Sequence, residues 1–140
     1  MERCIFCKIV RGESPETTIE YESENIIVFK DIRPASQHHF LSVSKAHIDS
    51  AKCLKSEDLP LLNELEEALK KVFEEKGADI KDASFGFHWP PFTTVKHLHM
   101  HGISPVSTMG FMSKCIFKPN TLWFCTADCV RKRLEANTSS

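Results

Sequence analysis

The longest regular run of apolar positions lies between Leu61 and Phe73. Leu61, Leu62, Leu65, Leu69, Val72 and Phe73 recur at three- and four-residue steps, while Glu64, Glu66, Glu67, Lys70 and Lys71 fill the positions between them. That period belongs to an amphipathic helix with one face on a core. Ser56 is placed to cap its start, Glu57 and Asp58 suit the positive end of the helix dipole, and Gly77 is placed to stop it. Shorter apolar segments bounded by polar or turn residues predict five strands: Thr17–Tyr21, Asn25–Lys30, His39–Ser44, Ser84–His88 and His97–Ile103. The first two are close enough to form a hairpin. Long helix and strands do not alternate regularly, which predicts an antiparallel α+β domain rather than a doubly wound parallel sheet. Beyond Gly110 an apolar stretch runs from Cys115 to Phe124, followed by a short helix capped by Thr126 or Asp128 and ending near Glu135.

At 140 residues the chain suits one domain with one sizeable core. We expect residues 1–140 to form that domain, with its core at about 4–110 and an extension at about 111–136. A hydrophobic share of 41% and a charged share of 26% argue against both disorder and a membrane span. Basic residues number 18 and acidic residues 19, so the formal charge of -1 supplies no long-range attraction to nucleic acid or an anionic membrane. The basic run Arg131-Lys132-Arg133 reads as a solvated helix face. Glu2, Arg3 and Lys8 interrupt any apolar leader, so the expected location is the cytosol, with the nucleus open to a small protein. In that setting the six cysteines read as thiols or metal ligands rather than disulfides.

The chemistry concentrates in His97-Leu98-His99-Met100-His101. Alternation in a strand places the three imidazoles on one face and Leu98 and Met100 on the other, with same-face neighbours about 6.5 to 7 Å apart. Packing alone explains such a row poorly, since each buried imidazole needs a hydrogen-bond partner. Two chemistries use it: three imidazoles holding a catalytic zinc, or one neutral imidazole attacking phosphorus directly while its neighbours handle protons and phosphate oxygens. Cys4 and Cys7, two residues apart, have the spacing of half a zinc site. Cys53, Cys115, Cys125 and Cys129 read as core thiols.

The motif His97-Leu98-His99-Met100-His101-Gly102-Ile103 resembles that of the histidine-triad superfamily, in which histidines alternate with apolar residues, and within it the Hint type. Cys4-Ile5-Phe6-Cys7-Lys8-Ile9-Val10, Phe29-Lys30-Asp31-Ile32-Arg33-Pro34, and His39-Phe40-Leu41-Ser42-Val43 leading to Lys45-Ala46-His47-Ile48 stand in the order that family expects. The commonest Hint proteins have a polar, glycine-rich loop before the triad, with an asparagine facing the phosphate. Here Gly86 aligns with that asparagine, and Phe87-His88-Trp89-Pro90-Pro91-Phe92, with the later Asn120-Thr121-Leu122-Trp123-Phe124, resembles the third animal branch of Hint proteins, itself similar to the aprataxin catalytic domain.

The resemblance implies a five-stranded antiparallel sheet with one long and one or two short helices, a C-terminal extension, and a homodimer. It implies a hydrolase that releases AMP from adenosine phosphoramidates and acyl-adenylates through a covalent nucleotidyl-histidine. By position His99 matches the nucleophile, His101 the hydrogen-bond donor to phosphate oxygens or the leaving group, His97 the residue orienting the nucleophilic ring, and His39 a fourth histidine lining the site. Asp31, otherwise a turn cap, matches the ribose ligand; Phe6, Phe29 and Ile32 match positions around the purine. Thr94 stands in for a phosphate-binding serine, and Leu98, between His97 and His99, counts with them among the nucleotide-binding positions. Catalysis needs no cofactor, but related proteins complete Cys4 and Cys7 with the residues matching His47 and His97, implying a structural zinc. The competing readings are a three-histidine zinc hydrolase, an aprataxin-like deadenylase of nucleic-acid ends, and an AMP-binding adaptor without essential catalysis.

Overall fold

The computed structural model describes residues 4–90, 92, 95–119 and 121–138. Its elements in chain order are α1 (Ile5–Val10), β1 (Ile19–Glu22), β2 (Ile26–Lys30), β3 (His38–Ser44), α2 (Leu59–Lys76), β4 (Ser84–His88), β5 (His99–Ser104), α3 (Phe111–Ile116), β6 (Phe124–Thr126) and α4 (Ala127–Thr138). The strands form one antiparallel sheet in the order β1-β2-β3-β5-β4-β6. The α+β class therefore holds with six strands rather than five. The additional strand, β6, is only three residues long and comes from the extension, where the apolar run Cys115–Phe124 carries no period-two signal.

The long helix begins later than its sequence suggests. Ser56–Asp58 form a 3₁₀ turn instead of a cap, the Asp58 carboxylate accepts from the Lys55 N–H at 2.8 Å, and α2 starts at Leu59 with Pro60 in its first turn. Proline is tolerated there because the first-turn N–H groups have no intrahelical acceptor. Gly77 ends the helix at φ 72°, a left-handed conformation that glycine adopts without a Cβ penalty. Leu62, Leu65, Leu69, Val72 and Phe73 are buried against Val28, Phe40, Phe87 and Met100 of the sheet. Each such side chain contributes about 1.5–3 kcal/mol of burial free energy. Leu134 and Val130 of α4 join the same core, so the extension is integral to it. Thr126 caps α4 by accepting from the Cys129 N–H at 3.2 Å.

The opposite sheet face carries the chemistry. Strand pairing sets His39 opposite Ile103, Leu41 opposite His101, Val43 opposite His99 and Gly86 opposite His101. Two small apolar clusters flank this face: Phe6, Ile9, Ile27, Phe29, Leu41 and Val43 on the α1 side, and Ile103, Met109, Phe117 and Phe124 on the side of the C-terminal segment. The basic run on α4 is structural: Arg131 pairs with Glu66 and Asp128, and Arg133 lies 5.2 Å over Trp89. Cys53, Cys115 and Cys129 are exposed, so these three are not core thiols, whereas Cys125 is half-buried and packs against the main core. A short turn and helix ends carry the exposed three, where the apolar period that places a thiol in a core is missing. Among the described residues, no helix is long and apolar enough to cross a membrane.

Candidate active site

The three triad histidines do not share one strand face as alternation predicts. β5 starts at His99, and His97 lies in the bend before it. The Leu98 N–H is given to the Ile48 carbonyl at 2.6 Å, which ties this bend to the loop after β3 and turns the first imidazole away from the other two. Leu98 itself is buried in the core facing α2, not on the histidine side.

Hydrogen bonds to groups with a fixed role determine which nitrogen of each ring carries its proton. A backbone carbonyl can only accept and a backbone N–H can only donate. His99 Nδ1 lies 2.7 Å from the His97 carbonyl oxygen, so Nδ1 carries the proton and Nε2 keeps its lone pair. His97 Nε2 lies 2.6 Å from the Ser44 carbonyl, so its lone pair is on Nδ1. Ala35 donates its N–H to His39 Nδ1 at 2.9 Å, which leaves the His39 proton on Nε2. That proton points at His101 Nδ1, 2.9 Å away, and at Asp31 Oδ2, 3.3 Å away. His101 therefore accepts at Nδ1 and carries its proton on Nε2. This Nε2 is buried and has no acceptor among the described residues. An unpaired buried donor costs about 1–3 kcal/mol, which a ligand oxygen would recover.

The His99 and His101 rings are 5.0 Å apart, centroid to centroid, so an imidazole lone pair and an N–H donor, each without a partner among the described residues, stand side by side. Burial lowers the pKa of His99 below the ordinary histidine value, although its bond to the His97 carbonyl opposes the shift. Burial pushes His39 down to about 4 against the opposing pull of Asp31, and pushes His101 well below the ordinary value, reinforced by His99 and His39. The cluster is thus neutral near pH 7, which a nitrogen nucleophile requires.

The remaining expected ligands fall in two groups. Phe6 is buried with its ring 5.0 Å from His99 and 5.5 Å from Phe29. Asp31 is half-buried, with Oδ1 accepting from the Arg33 N–H at 2.8 Å as a turn cap while Oδ2 faces the histidines. Ile32 is 90% exposed in the turn beyond β2, so it packs on neither phenylalanine. Thr94 lies outside the described residues.

Cys4, Cys7, His47 and His97 converge on one point. Cys4 Sγ is 3.2 Å and Cys7 Sγ 3.4 Å from His97 Nδ1; Cys7 Sγ is 3.3 Å from His47 Nδ1; the two Nδ1 atoms are 3.2 Å apart. His47 Nε2 donates to Asp49 Oδ1 at 3.0 Å, a carboxylate that holds the ring and leaves the Nδ1 lone pair as a ligand atom. Two sulfurs and two imidazole lone pairs around one point form a Cys₂His₂ donor set.

Asp31, His39 and His101 also lie within ligand distance of one another. They fit a metal badly: the Ala35 N–H occupies His39 Nδ1 and so puts a proton, not a lone pair, on the Nε2 that would have to coordinate. Nor do the lone pairs of the triad meet, since His97 Nδ1 is turned to the cysteines and His101 Nδ1 to His39.

A residue the sequence did not single out completes the cluster. His88 on β4 packs its ring 4.9 Å from His101 and donates from Nε2 to the Ile116 carbonyl at 3.1 Å. Its place in a Phe-His-Trp-Pro-Pro run held no periodic signal, and only the β4–β5 register reveals it.

This sheet, with an alternating-histidine strand at its centre and α1 on one flank, is the architecture of histidine-triad proteins. A family model described as "Scavenger mRNA decapping enzyme C-term binding" matches residues 3–116. The chain is 36% identical over 135 residues to adenosine 5'-monophosphoramidase HINT3 of Xenopus tropicalis, covering 96% of this chain and 88% of that protein. It is 38% identical over 134 residues to the HINT3 enzyme of Mus musculus, covering 94% and 81%. Among solved structures, a HIT family hydrolase from Clostridium thermocellum superposes with a TM-score of 0.68 at 36% identity, covering 74% of this chain and 90% of that one. The chain belongs to the histidine-triad family.

Proposed function

We propose that the protein is an adenosine 5'-monophosphoramidase that works without a catalytic metal. The observation that carries this reading is the pair of complementary tautomers: a lone pair on His99 Nε2 beside an N–H on His101 that has no acceptor among the described residues. The relatives named adenosine 5'-monophosphoramidase support the substrate class. His99 Nε2 attacks the α-phosphorus, and the P–N bond breaks with its electron pair passing to the leaving nitrogen, which departs as an amine after taking a proton from water. His101 Nε2 donates a hydrogen bond to a non-bridging oxygen or the leaving group, where charge develops. Water then attacks the nucleotidyl-histidine, releases its proton to solvent, and returns the bonding pair to His99 as AMP departs. Asp31 suits the ribose hydroxyls, because a carboxylate accepts two bonds from a vicinal diol; Phe6 and Phe29 supply apolar surface for the purine.

The test is AMP release from adenosine phosphoramidate and from adenylated DNA, each in EDTA and below the melting temperature. Turnover of the phosphoramidate is expected. Turnover confined to adenylated DNA would favour an aprataxin-like deadenylase, and loss of all turnover with chelator would favour a metal hydrolase. A His99 variant that binds AMP and keeps full biological activity would make the protein an adaptor.

Cys4, Cys7, His47 and His97 would hold a structural zinc, pinning α1 to the residue whose carbonyl orients His99. About one zinc per chain is expected by elemental analysis, and Cys4→Ser should lower the melting temperature. A zinc-free preparation made without chelator, with an unchanged melting curve for the variant, would reduce the set to hydrogen-bonded thiols. The family resemblance further supports a homodimer, which a monomer mass by light scattering at micromolar concentration would contradict.

A further inference from the structure

The segment after β5 does more than complete the core. Phe117 is buried, and its ring touches three imidazoles at once: His39 edge to face at 5.4 Å, His101 at 5.1 Å and His88 at 4.9 Å. It stands one residue beyond the stretch matched by the family model. The same segment is fastened to the strand that carries His88. The Ile116 carbonyl accepts from His88 Nε2, Trp89 donates its N–H to the Trp123 carbonyl at 2.9 Å, and Trp123 Nε1 donates to the Cys115 carbonyl at 2.8 Å. Phe124 closes the corner, its ring 5.3 Å from His88 and 5.7 Å from Phe117.

We propose that the C-terminal segment is part of the catalytic site, with Phe117 as a positioning residue that keeps the His39–His101 pair dry and in a single tautomer. His88 is the link that seats it. On the α1 side the imidazoles of His97 and His99 are anchored by backbone carbonyls; on the other side the Ala35 N–H anchors His39, but His101 is held only through His39, and such a relay keeps one proton order only while water is excluded. Phe117 is the ring that both contact. The titratable groups facing the pair are Asp31 from the turn after β2, at 3.3 and 4.0 Å, His99 from β5 and His88 from β4. Burial is the largest cause holding both imidazoles neutral, so opening the Phe117 side should let them take a proton nearer the ordinary histidine value.

The test uses the full chain with Phe117→Ala, Phe117→Leu and His88→Phe, the last keeping an aromatic ring while removing the bond to Ile116. Histidine side-chain NMR titration is the primary readout and does not depend on activity. In the wild type His39 is expected to stay neutral down to about pH 5, and His101 to titrate well below the ordinary histidine value. In Phe117→Ala they should titrate about one to two pH units higher. Phe117→Leu and His88→Phe should move them less, in the same direction. The kinetic arm rests on the hydrolase reading: kcat should fall about tenfold and its acid limb move up, while AMP affinity stays within about twofold. Unchanged titration in Phe117→Ala, or in Phe117→Leu should the alanine variant not fold, would overturn the proposal. So would parallel loss of kcat and AMP affinity. A wild type without phosphoramidase activity whose histidines still respond to Phe117 would instead remove the hydrolase reading and leave this inference standing.

Discussion

The two sides of the histidine cluster are held in place by different kinds of partner. On the α1 side, His97 and His99 donate to the carbonyls of Ser44 and His97, and a backbone carbonyl cannot change its role. On the other side, His39 and His101 bond each other, Asp31 faces both, and the rings of Phe117 and His88 enclose them. The Ala35 N–H holds His39 from the backbone, but every partner of His101 is a side chain. The nucleophile's tautomer therefore survives most substitutions, whereas the donor's tautomer can be broken one residue at a time. Chemistry that needs one bare lone pair and one bare N–H depends on both sides but is fragile only on the second.

The largest effect is expected at the nucleophile. His99→Ala or His99→Asn should lower AMP release by several orders of magnitude with the fold intact, because no neighbouring nitrogen can replace the lost lone pair. Turnover above about a tenth of wild type would remove the covalent mechanism. Next is the relay: His39→Phe keeps an aromatic ring but removes the proton that fixes His101 Nδ1 as acceptor. A loss of about a hundredfold in kcat is expected, with AMP affinity nearly unchanged. If kcat held, the two sides would be equally robust and the comparison would fail.

Acid tests the His39 side through stability. His39 has a folded-state pKa of about 4, against an ordinary value of 6.5. Between those values the unfolded chain binds the extra proton and the folded chain does not, so stability rises with pH through this window. The contribution is complete above about pH 6.5, is lost as pH falls toward about 4, and levels off below it. Melting temperatures should therefore fall from pH 7 to pH 4 more steeply in the wild type than in His39→Phe. Parallel curves would show that His39 is not held neutral by the fold.

The difference between the sides also marks what the sequence makes legible. The alternation His97-Leu98-His99-Met100-His101 announces a histidine row because strand period and motif coincide, and α2 is readable from its three- and four-residue steps. The donor set Cys4, Cys7, His47 and His97 is half spacing and half resemblance, and the structure brings its four atoms together. Other contacts leave no local trace. Phe117 reaches His39 and His101 together only because β3 and β5 pair through the middle of the sheet and the residue that ends α3 packs on both rings. β6 is too short to show a period, and six-residue α1 and α3 are too short to show a helical stripe. Ile32, which the resemblance matches to a purine-site position, shows a further limit, since only the structure reveals that the turn carrying it leaves it exposed.

The smallest effect on turnover is expected from a pair of glycines on opposite faces of the sheet. A Cβ on Gly86 would come within 2.7 Å of both the Phe124 ring and the Cys125 carbonyl, so β6 would have to move away from β4. That movement would disturb Phe124 where it packs on His88, on the fragile side of the cluster. A Cβ on Gly102 would meet Leu69 at 3.1 Å and Phe73 at 3.2 Å, both on α2 and both side-chain ends that can yield by a few tenths of an ångström. Overpacking of this kind typically costs about 1–3 kcal/mol, so both alanine variants should melt earlier. Only Gly86→Ala should also lower kcat, by a few fold, because only its strain reaches the imidazoles. Gly102→Ala, facing the helix, should keep wild-type kcat at a temperature where it remains folded. Paired melting and steady-state measurements on the two variants decide the matter. A kcat loss in Gly102→Ala equal to that in Gly86→Ala would mean that strain spreads evenly across the sheet and that the donor side has no special sensitivity.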